Sequence, residues 1–221
     1  MFAGGDVVVA PLTGTVAIIF GFFVGFGGAD MRERSRELRL VSQREANEAR
    51  SILKFAEGAG VLAEPLRQAL IEYLQAATTP EQDWIKARSR SAPPGQPMAD
   101  SLVLFATLFA MQVKHSDTVN SLIVTNVDHL RQARITRLNL SLQSSSLAEW
   151  IAMTVLVLII QGMIAMTHVG KRRATLAGLM AFSLAAASVY IYLAWIDGLI
   201  GSSRIALSIG PLKEVLDSIV Y

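Results

Sequence analysis

The residue types that most often carry chemistry are few in this sequence and lie far apart. The chain has no cysteine, which removes thiolate nucleophiles, thiolate metal sites and disulfides together. Its histidines, His115, His129 and His168, lack the HExxH or paired-carboxylate spacing that a metal site needs. The serines at 144–146 lack the GxSxG context of a hydrolase nucleophile. We therefore predict no enzyme, no metal site and no cofactor.

Glycine is distributed more distinctively than any of these residues. Gly14, Gly21, Gly25 and Gly28 project within about 60° of one another on a helix that turns about 100° per residue. In lipid, small residues along one line let a neighbouring helix approach closely. We predict that this glycine face packs against another helix.

Large apolar side chains follow a neighbouring line of the same segment. Ile18, Phe22 and Phe26 recur every four residues. Their simplest role is ordinary packing or contact with lipid. The functional alternative is a hydrophobic constriction, in which apolar rings of an oligomer hinder ions because water leaves a narrow apolar passage. Asp30 and Arg32 would then place charges at the mouth of that pore.

Three long runs without charge predict the elements that position these residues. Of 221 residues, 52% are hydrophobic and 17% are charged, and charge is missing from 7–29, 150–170 and 174–196. A hydrocarbon core about 30 Å thick needs roughly 20 helical residues, so each run is long enough to span a bilayer. No Lys or Arg precedes the first run, which favours a retained span over a signal peptide. Membrane lipid is therefore an expected partner.

The polar region between the first two runs has helical periodicity and no strand-like alternation. The first span is predicted to continue as a charged helix to about Ala56, and Pro65 to begin a second helix. A short helix around Trp84 and a proline-rich loop at 91–97 follow.

One long helix is predicted from Ala99 to near Leu140. Its apolar stretch, 102–113, is too short to span a bilayer and indicates a buried helix, with a re-entrant segment as the alternative. The predicted fold class is an all-α integral membrane protein with three transmembrane helices and a helical extramembrane domain. The expected division is a first transmembrane helix at 1–29, a helical domain at 30–149, a transmembrane hairpin at 150–197 and a carboxyl-terminal turn and short helix at 198–221.

The distribution of charge bears on partners and orientation. The net charge of +2 is too small to favour nucleic acid. Positive residues near span ends prefer the cytoplasm. The short cluster at 171–173 lies on the side opposite the domain, where such a short loop argues for the reverse orientation. The larger number lies on the domain side and predicts a cytoplasmic domain: Arg32, Arg34, Arg36, Arg39, Arg44, Arg131, Arg134, Arg137, Arg204 and Lys213.

Several short motifs occur in order along the whole chain. They are residues 21–26 with their basic exit, 44–49, 66–70 with Tyr73, Asp83 with Trp84, Arg131, Arg134 and Arg137 before Trp150, and 197–201, 204–208 and 211–212. In this order they resemble the bestrophin-like family, bacterial membrane proteins of unknown function. Two features depart from the family pattern. An extra first span is missing, and Gly198-Leu199 replaces the usual Arg-Pro after the aspartate.

The resemblance implies kinship with bestrophins, which are pentameric ion channels whose pore is lined by the helix corresponding to the first span. It implies a homo-oligomer in the bacterial inner (plasma) membrane, with the domain in the cytoplasm and inorganic ions as the species moved. The alternative is a non-conducting scaffold or accessory subunit of a larger membrane complex. Symmetric self-assembly with an axial path favours the channel, and single-copy binding to other chains favours the accessory role.

Overall fold

Helices make up the secondary structure of the residues that the computed structural model describes, which are 6–59, 64–87, 92–112, 117–143, 145–167, 172–199 and 203–220. In chain order the helices are α1 Asp6–Ala59, α2 Glu64–Thr78, α3 Pro80–Lys86, α4 Gln96–Gln112, α5 Asp117–Leu142, α6 Leu147–Thr167, α7 Arg172–Ile196 and α8 Ser203–Val220. Three of them, α1, α6 and α7, are long and apolar enough to cross a membrane. The predicted continuation of the first span into a long charged helix is confirmed by α1.

The chain folds into two compact units. The span unit comprises Met1–Arg34 and Ser144–Gly201, and the helical domain comprises Ser35–Gln143 and Ser202–Tyr221. Helix α1 contributes its first part to the span unit and its second part to the helical domain.

In the span unit, polar side chains join α6 to α7. Gln161 Nε2 donates a hydrogen bond to Ser183 Oγ at 3.0 Å, and the hydroxyls of Thr154 and Tyr190 lie 3.0 Å apart. Lipid offers no competing hydrogen bonds, so such pairs hold neighbouring spans together, with a typical net contribution of about 0.6 kcal/mol each.

A glycine turn ends α7 and fixes the start of α6. Gly198 has a φ of 73°, a left-handed conformation that glycine adopts without steric cost. The amides of Gly198 and Leu199 donate to the carbonyls of Trp195 and Ala194, which completes a Schellman motif. Beside it, both carboxylate oxygens of the buried Asp197 accept the Ser145 amide hydrogen at 3.1 Å.

The helical domain is built around one apolar core to which α1, α2, α4, α5 and α8 all contribute. Helix α2 packs on α4 and α8, and α4 packs on α5. Ala46 and Ala49 on α1 are small, which permits the other core helices to pack closely against α1. The buried core residues include Ala46, Ala49, Ile52, Leu70, Leu74, Leu102, Phe109, Val127, Leu130, Leu212 and Val215.

The single long helix predicted from Ala99 to near Leu140 is wrong. Residues in this range form two helices, α4 from Gln96 and α5 from Asp117, and these pack against each other. The apolar faces of both helices belong to the same core, so the two must lie side by side to bury them. The sequence predicted the helical conformation of both segments but not the break between them, which follows from the core that both helices cover.

The apolar sequence of α4 predicted a helix that is buried on every side, but the structure buries only one side of it. Leu102, Ala106 and Phe109 lie in the core. On another side of the helix Leu108 and Met111 are exposed. The helix therefore offers one apolar face to the domain core and another to its surroundings.

Candidate functional site

An exposed apolar line on α1 is the first feature of the span unit that bears on function. Ile18, Phe22 and Phe26 are 61%, 60% and 73% exposed. The rings of Phe22 and Phe26 have centroids 6.1 Å apart and planes inclined by 18°, so they stack along the helix. We call this stacked pair the Phe22–Phe26 ladder. Both rings face outward and lie outside the apolar core of the chain.

A cavity of about 520 Å³ runs beside this ladder, between α1 and the start of α6. Its wall is mostly apolar, and its charged members are two carboxylates. The residues that define it are Ile19, Phe22, Phe23, Phe26, Asp30 and Glu149. The Phe22–Phe26 ladder and the two carboxylates therefore share one continuous surface.

The charged residues that follow the ladder on α1 do not all face this cavity. Asp30 pairs with Arg34 one turn later, and the carboxylate is 62% exposed whereas the guanidinium is 18% exposed. The guanidinium of Arg32 lies 5.6 Å from the centroid of the Tyr192 ring, within the range of a cation–π contact. The carboxylate of Asp30 thus faces outward and the guanidinium of Arg34 is mostly covered, while Arg32 is exposed beside the Tyr192 ring.

The predicted glycine face divides into an open part and a packed part. Beyond the chain neighbours and the nearby backbone of α1 itself, no atom of the described chain lies within 4 Å of a Cβ placed on Gly14, Gly21 or Gly25. A Cβ on Gly28 would meet Leu193 Cδ2 at 3.3 Å, so Gly28 allows α1 to approach α7 within the chain. Only the first three glycines remain available to another helix.

The helical domain contains a second feature, a buried cluster of four charged side chains: Glu45, Glu81, Arg134 and Arg137. None is more than 1% exposed. Arg137 Nε donates to Glu45 Oε2 at 2.6 Å, and its Nη2 donates to Glu81 Oε2 at 2.8 Å. Arg134 Nε donates to Glu81 Oε1 at 2.9 Å. The two arginines and two glutamates balance in charge.

Polar neighbours complete this buried charge cluster. The Tyr73 hydroxyl donates to Glu45, and Arg134 Nη1 donates to Gln96 Oε1 at 2.9 Å. Ser208 Oγ accepts a long bond from the second arginine, Arg137, at 3.4 Å. A side chain at Gly95 would collide with Glu81. The cluster therefore ties α1, α3, α5 and α8 together with directional bonds.

Burial and charge shift the ionisation of two groups in the cluster. Burial most strongly raises the pKa of the Tyr73 phenol, and the charge of Glu45 raises it further. Burial alone would lower the pKa of Arg137, but the facing carboxylate of Glu45 outweighs it and leaves this pKa above its ordinary value. Arg137 is therefore charged and Tyr73 neutral at physiological pH.

Comparison with known families adds the deciding observation. The family described as Bestrophin-like domain matches residues 5–198 of the chain. The chain belongs to the bestrophin-like family. No curated protein matches it.

Solved structures agree with the bestrophin-like assignment. The chain is similar to a bacterial bestrophin homologue from Klebsiella pneumoniae. One variant of that homologue has a TM-score of 0.73 at 13% identity over 96% of this chain and 88% of the other. A second variant has a TM-score of 0.65 at 15% identity over 96% and 86%. A variant described as a membrane protein gives 0.67 at 14% over 96% and 84%. At these identities the likeness shows a shared fold, and it confirms the predicted all-α, three-span fold class.

Most residues predicted for a site in this bestrophin-like chain lie near one another in the span unit. Phe22, Phe26 and Asp30 line the same cavity. Arg32 does not line it and lies against Tyr192 instead. His115 and His168 lie outside the described residues, and His129 Nδ1 is 3.9 Å from Glu48 Oε1. Within the described residues, no group of three or more His, Asp or Glu side chains is placed to hold a metal ion.

The buried charge cluster is what reasoning from sequence missed in this bestrophin-like protein. From the sequence, Arg134 and Arg137 are interpreted as positive charges near a span and as part of the family motif before Trp150, not as buried residues. A signal was present, because the buried positions of α5 include Ile123, Val127, Leu130, Arg134 and Arg137, which follow one another by three or four residues. Both arginines thus occupy positions where the helical repeat expects a core residue.

The raised pKa of Tyr73 predicts alkaline sensitivity. Below a pH of about 10 the phenol is neutral in both states, and above it the unfolded chain releases a proton that the folded chain keeps. We expect the free energy of unfolding to fall by about 1.4 kcal/mol per pH unit above that point. The measurement is the unfolding midpoint of the parent and of Tyr73→Phe at about pH 9 and about pH 11.

The Tyr73→Phe variant starts lower, since it lacks a hydrogen bond to a buried carboxylate worth about 1.5–3 kcal/mol. Its decline with pH is expected to be shallower than that of the parent, because the other tyrosines are common to both. An equally steep decline in both proteins would mean that Tyr73 ionises as freely in the folded state as in the unfolded state.

Proposed function

We propose that the chain forms a homo-oligomeric ion channel, a pentamer by analogy with bestrophins, whose pore is lined by the first part of α1. The observation that carries this proposal is the stacked Phe22–Phe26 ladder, which is exposed on a membrane helix beside an open glycine line. Three spans enclose no pore alone, so the pore requires several copies. Membership in the bestrophin-like family supports the same function.

In this assembly Ile18, Phe22 and Phe26 form successive apolar rings. Four residues of helix advance about 6 Å, so the rings follow one another closely along the axis. An ion passing them loses hydration without receiving polar contacts in return. As long as the passage between these rings is narrow, the rings therefore prevent ions from passing through the channel.

The domain is proposed to lie in the cytoplasm, with the spans in the bacterial inner membrane. The positive residues near the span ends of the domain side support this orientation.

Because the chain has no cysteine, single introduced cysteines report on its orientation in the membrane cleanly. We expect Gly170→Cys, between α6 and α7, to react with an impermeant thiol reagent in intact cells. The exposed Ala92→Cys should react only after lysis. The opposite pattern would reverse the orientation.

The channel itself is tested by opening the apolar rings. We expect liposomes carrying Phe22→Ala/Phe26→Ala to pass ions at least about tenfold faster than liposomes carrying the parent, which corresponds to about 1.4 kcal/mol of barrier. The smaller side chains widen the passage and let water remain in it. The measurement is ion flux at equal oligomer yield.

A matched control truncates apolar side chains elsewhere in the spans. Leu158 and Ile159 are exposed on α6, and Leu158→Ala/Ile159→Ala is expected to leave the flux at the parent level. If Phe22→Ala/Phe26→Ala assembles and passes ions no faster than the parent, the proposal of an ion channel must be abandoned. The chain would then be interpreted as a non-conducting accessory subunit.

A further inference from the structure

The helical domain contains a cavity of its own, between the domain part of α1 and α5. Its volume is about 330 Å³. Helix α1 contributes Val41, Arg44 and Glu48 to its wall, and α5 contributes His129 and Ala133 among others. Sites for small molecules typically enclose roughly 300–1,000 Å³, so this cavity is large enough for a small ligand.

Two opposite charges line this cavity without neutralising each other. Arg44 and Glu48 lie four residues apart on α1, but the arginine comes first, which is the less favourable order for an ion pair on a helix. Within the described part of the chain, Arg44 makes no hydrogen bond or ion pair. Glu48 Oε1 lies 3.9 Å from His129 Nδ1, which is too long for a hydrogen bond. One positive and one negative group are therefore available to a ligand.

The polar side chains that α5 adds to the cavity are already engaged. Gln132 Nε2 donates a hydrogen bond to Asp128 Oδ2 at 2.8 Å, and Thr136 Oγ1 donates to the Gln132 carbonyl at 3.0 Å. The remaining wall includes the apolar side chains of Val41 and Ala133. The cavity thus combines a free guanidinium, a free carboxylate and an apolar surface.

We propose that this cavity binds a small aliphatic amino acid. A guanidinium binds a carboxylate through charge-assisted hydrogen bonds, so Arg44 holds the carboxylate of the ligand. Glu48 accepts hydrogen bonds from its ammonium group, and Val41 and Ala133 contact its aliphatic side chain. A ligand with a single charge would satisfy only one of the two protein groups. The proposal concerns the helical domain and does not depend on whether the chain conducts ions.

The test is equilibrium dialysis of the purified full-length protein in mild detergent against radiolabelled L-valine. We expect saturable binding of valine. Two competitors share the carbon skeleton of valine but carry one charge each, since isovalerate lacks the amino group and isobutylamine lacks the carboxylate. Both are expected to bind at least about tenfold more weakly than valine, because each loses the hydrogen bonds of one charged group.

Substitutions in the cavity should reverse this preference. Arg44→Gln and Glu48→Gln are each expected to weaken valine binding at least about tenfold. Glu48→Gln should bind isovalerate at least as tightly as the parent, because the carboxylate that repels this anion is gone. By the same reasoning, Arg44→Gln should keep isobutylamine. Retained binding of these analogues shows that the variants are folded.

Arg39→Gln is the matched control, because Arg39 is exposed on α1 and is not among the residues that line the cavity. We expect it to bind valine like the parent. Isovalerate or isobutylamine binding as tightly as valine to the parent would mean a site for anions or for cations and would overturn the proposal. Valine binding that does not saturate, or that both cavity variants leave unchanged, would overturn it as well. Neither result bears on ion flux through the spans.

Discussion

Replacing Arg137 by methionine is expected to lower the unfolding temperature of the protein by roughly 6–20 °C. Arg137 is fully buried and donates to both Glu45 and Glu81. Removing one partner of a buried ion pair leaves an uncompensated charge and costs about 3–5 kcal/mol. For a chain of this size, about 1 kcal/mol corresponds to about 2–4 °C. The loss is large against a typical total stability of about 5–15 kcal/mol.

A matched control comes from the same helix. Arg131 lies on α5 six residues before Arg137 and is exposed, so Arg131→Met removes the same chemical group from the surface. We expect this change to stay within about 0.5 kcal/mol of the parent. Unfolding of both variants is followed by circular dichroism in the same detergent.

A double variant separates the lost charge balance from the lost packing. Arg137→Met/Glu45→Met removes one positive and one negative charge and leaves Glu81 paired with Arg134. Partners in one network do not contribute additively, so the double variant is expected to be more stable than Arg137→Met alone. If Arg137→Met unfolds at the same temperature as Arg131→Met, the buried charge cluster does not hold the domain together.

Much of the fold could be predicted because its signals are local. The charge-free runs at 7–29, 150–170 and 174–196 correspond to helices α1, α6 and α7, since only a helix satisfies backbone groups along a single lipid-exposed segment. The turn after α7 was predicted from the family resemblance, and Gly198 there adopts the left-handed conformation that ends helices.

The buried charge cluster could not be predicted with its partners because it joins distant parts of the chain. Arg137 and Glu45 are 92 positions apart, and Arg134 and Glu81 are 53 apart. The helical repeat places both arginines on a core face, yet nothing local identifies which carboxylates neutralise them. The same reason explains the missed break between α4 and α5, since a shared core determines it.

The glycine face was predicted as one surface, but its members differ in what lies opposite. Gly28 faces Leu193 of its own chain, whereas Gly21 and Gly25 face nothing within 4 Å. Sequence spacing gives the direction in which each glycine points but not the neighbour it meets. This difference separates the glycine that packs within the chain from the glycines that are open to a second copy in the proposed oligomer.

Gly25→Leu is therefore expected to abolish the proposed homo-oligomer while leaving the single chain folded. A leucine side chain at Gly25 has open space within the chain, so any clash arises against another copy. Close backbone approach along small residues is what holds such helices together in lipid, and a leucine prevents it. The measurement is the mass of the purified protein in mild detergent by light scattering, where we expect a shift from oligomer to monomer.

Gly162→Leu provides the matched control, because Gly162 is also an open glycine on a span, α6, but does not lie on the predicted face. We expect it to keep the oligomer mass of the parent. Gly28→Leu should behave differently from both, since its side chain collides with Leu193 and lowers the unfolding temperature of the chain itself. An unchanged oligomer mass for Gly25→Leu would mean that the copies meet through another surface. The proposed pore along Ile18, Phe22 and Phe26 would then lose its support, because the proposal uses the neighbouring glycine line to bring the α1 helices of different copies together.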